Sequence, residues 1–168
     1  MIRKKKLYVK PRKLYEKVRI GEENILMQKY ALKNKREIWK ALARVNYLRH
    51  RAMNLSKAPI EEQEILFNKI NAMGLKAHRI ADVLDLKVED LLERRLPTIV
   101  AKLKLAATLK QARQFVVHKK IQINKRVVNI PSYIVPIQEE KMISLKTKSK
   151  PLKDNTTNSS STEVKGEN

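Results

Sequence analysis

Between Arg94 and Val128 the chain carries ten Lys or Arg residues and no Asp or Glu. Spacing decides what these residues can do together. Lys110, Arg113 and Gln114 stand at i, i+3 and i+4, so on a helix they share one face. Leu109, Ala112, Phe115 and Val116 recur at the spacing of a core stripe and share another. The division repeats upstream, where Arg95, Thr98 and Lys102 run beside the apolar series Leu92, Leu96, Ile99, Val100 and Leu103. Lys104, Thr108, Gln111, His118, Lys119, Lys120, Asn124, Lys125, Arg126, Ser132 and Tyr133 add further polar groups in the same stretch. Cationic and amide donors with no acid among them can hydrogen-bond and neutralise a row of phosphates. Without a polyanion the block repels itself.

Other chemistries lack their residues. His50, His78 and His118 show neither an i, i+4 metal pairing nor an HExxH pattern, and the chain has no cysteine. The only glycines are Gly21, Gly74 and Gly166, so neither a dinucleotide fingerprint nor a P-loop can be written. Asp82/Asp85 and Glu89/Glu93 have helix-surface spacing with no polar constellation around them. The expectation is a protein that is not an enzyme and uses no cofactor or metal.

The elements that must position these residues follow from the pattern. Thr108 and Gln111 form a capping box that opens the basic helix. Ile121-Gln-Ile123 and Val128-Asn-Ile130 alternate with period two around Asn124-Lys125-Arg126, which predicts a hairpin, and Met142–Leu145 can add a short strand. Upstream, Lys35 to Ser56 predicts a long helix with Ile38, Leu42, Val45 and Leu48 inward. Lys33, Arg36, Lys40 and Arg44, continued by Tyr47 and Arg51, form its charged stripe. Between Lys33 and Lys57 Glu37 is the only acid, whereas ordinary solvated faces mix signs. Trp39 is read as core. A shorter helix is expected from about Glu22-Glu23, where acids suit the positive end of the dipole.

Charge is unevenly spread. Residues 1–57 hold 18 Lys/Arg against 4 Asp/Glu, whereas residues 58–93 hold 4 against 8. Two basic blocks thus flank an acidic spacer, which predicts two polyanion-contacting surfaces in a chain of net charge +21. The spacer reads as helices packing Leu66, Ile70 and Met73, then Ile80, Ala81 and Leu84, then Val88, Leu91 and Leu92, with Gly74 as a helix C-cap. Residues 1–20 are expected to be a basic arm that orders on its partner, and 147–168, rich in Asn, Ser, Thr and Lys, to be a disordered tail. No run of about 18 apolar residues predicts a membrane span, so a cytoplasmic location is expected.

Glu93-Arg94-Arg95-Leu96, Gln111 to His118 and Ile130-Pro131-Ser132-Tyr133 closely resemble the RNA-binding module of the ribosomal protein S-four family. Gln28-Lys29-Tyr30 and Asn34 to Lys40 resemble the amino-terminal region of its archaeal and eukaryotic members. The resemblance covers about residues 20–146. It implies an α+β chain: a helical domain at 21–92, then a module at 93–146 with two helices on a short, mostly antiparallel sheet. It further implies a structural role in the small ribosomal subunit, with early binding of the 5′ domain of small-subunit rRNA. Neighbouring small-subunit proteins and nearby mRNA would be partners, and decoding accuracy would be affected. The alternatives are a stand-alone protein of this type in ribosome rescue or RNA modification, or a basic DNA-binding structural protein. The chain departs from the family in three places. Lys119 and Lys125 stand where the family has glycine, and Pro97 stands where the first module helix should continue. In a left-handed turn each lysine would be strained by about 1 kcal/mol.

Overall fold

The structure, a computed structural model, describes residues 6–146. The expected tail at 147–168 and the first five residues of the expected arm lie outside the described residues.

Helices dominate the first part: α1 (Lys17–Lys29), α2 (Lys35–Leu55), α3 (Ile60–Ala72), α4 (Ile80–Asp85) and α5 (Val88–Glu93). The second part runs α6 (Leu96–Lys102), α7 (Leu109–Val117), β1 (Ile121–Ile123), β2 (Arg126–Val127), α8 (Ile137–Glu140) and β3 (Ile143–Leu145). The sheet has the order β2-β1-β3 with both pairings antiparallel. The fold is the expected α+β arrangement.

Two main apolar cores organise these elements. One gathers Val45, Leu48 and Ala52 of α2 with Leu66 and Ile70 of α3, Val83 of α4 and Leu91 of α5. The other gathers Leu96, Ile99 and Val100 of α6 with Ala112 and Val116 of α7, Ile121, Ile123 and Ile143 of the sheet, and Val135. A smaller cluster of Tyr30, Leu32, Ile38 and Leu92 ties the end of α1 and the start of α2 to α5. Arg95 and Ile134 form an isolated antiparallel bridge, and Ile134 packs against the first core.

Several boundaries differ from the sequence reading for identifiable reasons. α1 starts at Lys17, so the last four residues of the expected arm are helical; Glu23 is not a first-turn acid but a buried mid-helix residue. Arg19 Nη1 at 2.7 Å, Trp39 Nε1 at 2.8 Å and Lys35 Nζ at 3.4 Å converge on its carboxylate, and this pins α1 to α2. Leu42 is 43% exposed, because the core-facing arc of α2 is the narrower set Ile38, Val45, Leu48 and Ala52. In α4 Val83 is the buried residue and Ile80 packs against the same core as expected, but Ala81 and Leu84 are exposed. β2 ends at Val127, and Ile130 is exposed. Pro97 falls at the second position of α6, where an N–H would have no intrahelical partner, so the helix is unbroken.

α1, α3, α6 and α7 end in one pattern. The residue after the C-cap is left-handed and donates its N–H two residues before the C-cap; the next N–H donates one residue further back. At α3 Gly74 (φ 83) serves, with Gly74 N to Asn71 O at 2.8 Å and Leu75 N to Ile70 O at 3.2 Å. At α6 the left-handed residue is Lys104 (φ 58), at α7 Lys119 (φ 59), and at α1 Ala31 (φ 49). The β1–β2 hairpin turns on Asn124 (φ 48) and Lys125 (φ 64), the two positive values that a tight primed turn requires.

Candidate nucleic-acid interface

Helix α7 is set by its amino end. Thr108 Oγ1 accepts from Gln111 N at 3.2 Å, and Gln111 Oε1 accepts from Ala107 N at 3.0 Å, one residue before the partner a strict capping box would use. Ala112 and Val116 are then buried against α6 and the sheet, while Lys110 and Gln114 are exposed. His118 is the exposed C-cap of α7, and Lys119, Lys120, Asn124, Lys125 and Arg126 are exposed after it. Lys120 Nζ lies 5.2 Å from the centre of the Phe115 ring.

Four residues expected as free donors are engaged inside the chain. Arg95 is 7% exposed: Nη2 donates to Glu37 Oε2 at 2.7 Å and Nε to Pro131 O at 3.3 Å. Arg113 grips the same carboxylate with two bonds, Nη2 to Oε1 at 2.6 Å and Nη1 to Oε2 at 3.1 Å, and Nη1 lies 3.5 Å from Ala31 O. Thr98 is buried and donates to Leu92 O at 2.9 Å. Tyr133 donates to Glu139 Oε2 at 2.6 Å; that bond and partial burial push its hydroxyl up to about 12. Lys102 also pairs with Glu93 at 3.0 Å, at the exposed surface.

Glu37 is the residue that sequence reasoning missed. Burial raises its pKa, but the hydrogen bonds and charges of Arg113 and Arg95 outweigh this and hold it below the usual glutamate value. One signal was available: a lone acid in a basic stretch needs a reason to be there. Arg94 is a second such clamp, donating to Met73 O at 3.1 Å, Glu140 at 2.9 Å and Val135 O at 2.8 Å.

With Glu37 turned inward, the outer face of α2 carries cations and no exposed acid. Lys33, Arg36, Lys40, Arg44 and Tyr47 are exposed and Arg51 is half-buried. Among the described residues no carboxylate pairs with these cations, nor with Lys104, Lys110, Lys119, Lys120, Lys125 or Arg126; the paired acids are Glu16, Glu23, Glu37, Glu89, Glu93 and Glu140. An open cleft of about 1040 Å³ joins part of this face to the second half of the chain. Its lining includes Arg36, Lys40, Arg44 and Tyr47 from α2, Arg95, Arg113, Pro131 and Ser132 from the second half, and Lys6 to Val9. The remaining candidates, from Lys102 to Arg126, lie outside the cleft on the α6, α7 and hairpin surfaces. A smaller depression of about 490 Å³ has the opposite character, with Asp82, Asp85, Asp90 and Glu93 in its lining. Among the described residues there is no grouping of acids and histidines that could hold a metal ion, and no helix is long and apolar enough to cross a membrane.

Residues 94–140 match the description of the S4 domain. The chain is 42% identical over 149 residues to small ribosomal subunit protein uS4 of Picrophilus torridus, covering 83% of this chain and 81% of that protein. It is 37% identical to the protein of the same name from Methanocella arvoryzae, over 83% of this chain and 75% of the relative. The Saccharolobus islandicus protein of that name is 45% identical over 76% of this chain and 74% of its own length.

Proposed function

The chain belongs to the uS4 family of small ribosomal subunit proteins, and from that premise we propose that it is a structural, non-catalytic constituent of the small subunit in the cytoplasm. It binds the 5′ domain of small-subunit rRNA early in assembly and helps that domain fold. It sits against neighbouring small-subunit proteins near the mRNA entry path and contributes there to decoding accuracy. The observation that carries the reading is the cationic surface left without acids on α2, α7 and the hairpin, part of it facing the cleft.

Ammonium and guanidinium groups there neutralise phosphates and release counterions, which supplies affinity without sequence information. Specificity for folded RNA comes from shape, 2′-hydroxyls and unpaired bases, presented to donors on a rigid frame. Lys33, Arg36, Lys40, Arg44, Tyr47 and Arg51 act from α2. Lys102, Lys104, Thr108, Lys110, Gln111, Gln114, His118, Lys119, Lys120, Asn124, Lys125, Arg126 and Ser132 act from residues 93–146, the RNA-binding module. Arg95, Arg113, Thr98 and Tyr133 serve mainly by holding the frame and reach RNA only where their remaining donor or acceptor sites face the cleft. A role in rescue or modification through the module alone is disfavoured by the match to the relatives well beyond residues 94–140.

The test is twofold. Tagged protein in a cell lysate should sediment with the small subunit. Purified protein should bind a transcript of the rRNA 5′ domain far more tightly than duplex DNA of equal length in competition. Equal affinity for the two would place the chain among general polyanion binders instead.

A further inference from the structure

Lys104, Lys119 and Lys125 share an unusual backbone. Each has φ between 58 and 64, in the left-handed region where glycine is at ease and an L side chain is not. Lysine, unlike asparagine, has no short polar side chain to relieve the strain locally. All three side chains are exposed, and among the described residues none meets a carboxylate. All three fall in the 94–128 stretch that contains no acid. The two uncharged non-glycine members of the left-handed set are different: Ala31 is buried and its carbonyl faces Arg113, so packing accounts for it, and Asn124 has the short polar side chain that eases this conformation.

A lysine beyond a helix C-terminus gains from the dipole, which could favour Lys104 after α6 and Lys119 after α7. That gain is absent at Lys125, which turns a hairpin. What the three positions have in common is a cation on a tight turn whose backbone would relax with glycine. Resting on the RNA-binding reading above, we infer that Lys104, Lys119 and Lys125 contact rRNA phosphates directly and that their charge is kept in place of a relaxed turn. The module thus holds three fixed cationic points on the turns after α6, after α7 and between β1 and β2.

Two triple variants test this. In Lys104→Gly/Lys119→Gly/Lys125→Gly strain and charge are both removed; in the corresponding Gln variant only charge is removed. A control, Lys69→Gln/Lys76→Gln/Lys87→Gln, removes the same charge from the acidic spacer, where all three lysines are exposed. The probe is a transcript of the rRNA 5′ domain, titrated across salt. The glycine variant should melt several degrees above the parent yet bind at least about tenfold more weakly. Its salt slope should be shallower by roughly two to three, since each lost phosphate contact removes about 0.7–0.9. The glutamine variant should lose the same affinity and slope without melting higher, and the control should lose little of either. A glycine variant that binds with the parent's affinity and slope overturns the inference while leaving the rRNA-binding reading intact. So does a control that loses as much as the turn variants. A parent chain that does not bind the transcript overturns both.

Discussion

Glu37 shows how one residue changes the meaning of its neighbours. Arg95 and Arg113 have the spacing of free donors, yet both guanidiniums close on its carboxylate at 2.6–3.1 Å. The pKa of Glu37 is lowered in the folded chain, so its contribution to stability is fully present above the ordinary value of 4.5 and is lost as pH falls through the folded value. Glu37→Gln should therefore cost about 1–3 kcal/mol at pH 7, because two partly buried cations lose their counter-charge. The gap between parent and variant should close as pH falls below the ordinary glutamate value and through the lowered folded one. Urea denaturation across pH measures this; a gap that is independent of pH would mean that the triad adds nothing electrostatic to stability.

At the scale of elements, the short helices are held by their ends more than by their length. α4, α5 and α6 have six or seven residues each, too few to stand alone. The joint after α3 illustrates the tightness. Gly74 is left-handed, and a Cβ built on it would meet Arg94 Nε at 2.4 Å and Cζ at 2.5 Å. Arg94 cannot step aside freely, since it is bonded to Met73 O, Val135 O and Glu140. Gly74→Ala should destabilise the protein by about 2–4 kcal/mol, combining the left-handed penalty with a displaced clamp. Thermal unfolding tests it, and a loss below about 1 kcal/mol would show that Arg94 has another place to go.

For the whole molecule, the acidic spacer between two basic surfaces predicts which salt dependence belongs to which part. If α2 and the 93–146 module bind rRNA together through about six to ten phosphates, affinity should fall about 10³-fold or more between 50 and 200 mM salt. Reversing Lys40 and Arg44 to Glu should flatten that dependence, and changes among Glu61, Glu62 and Glu64 should not. A titration in which the Lys40/Arg44 variant keeps the parent's slope would confine binding to the module.

The sequence by itself determined the class of partner and the sorting of faces, because charge and periodicity are local properties. A block of ten cations without an acid is visible in one line of residues, and the stripe of Ala112 and Val116 opposite Lys110 and Gln114 needs only the helical repeat. The capping of α7 by Thr108 was legible for the same reason, since a cap is set within a few residues; Lys119 and Lys125 stood out only through the resemblance, as lysines where the family has glycine, and the structure supplied their left-handed φ. Only the tertiary structure decided which cations are spent inside. The partner of Arg113 lies 76 residues away and that of Arg95 lies 58 away. No periodicity records a pairing between elements so distant in the chain. The start of α1 at Lys17 has a similar origin, since its low amphipathicity leaves its anchoring to Glu23, reached by Lys35 and Trp39 of α2. Local sequence disposes charges on surfaces; packing between elements decides which remain on the outside.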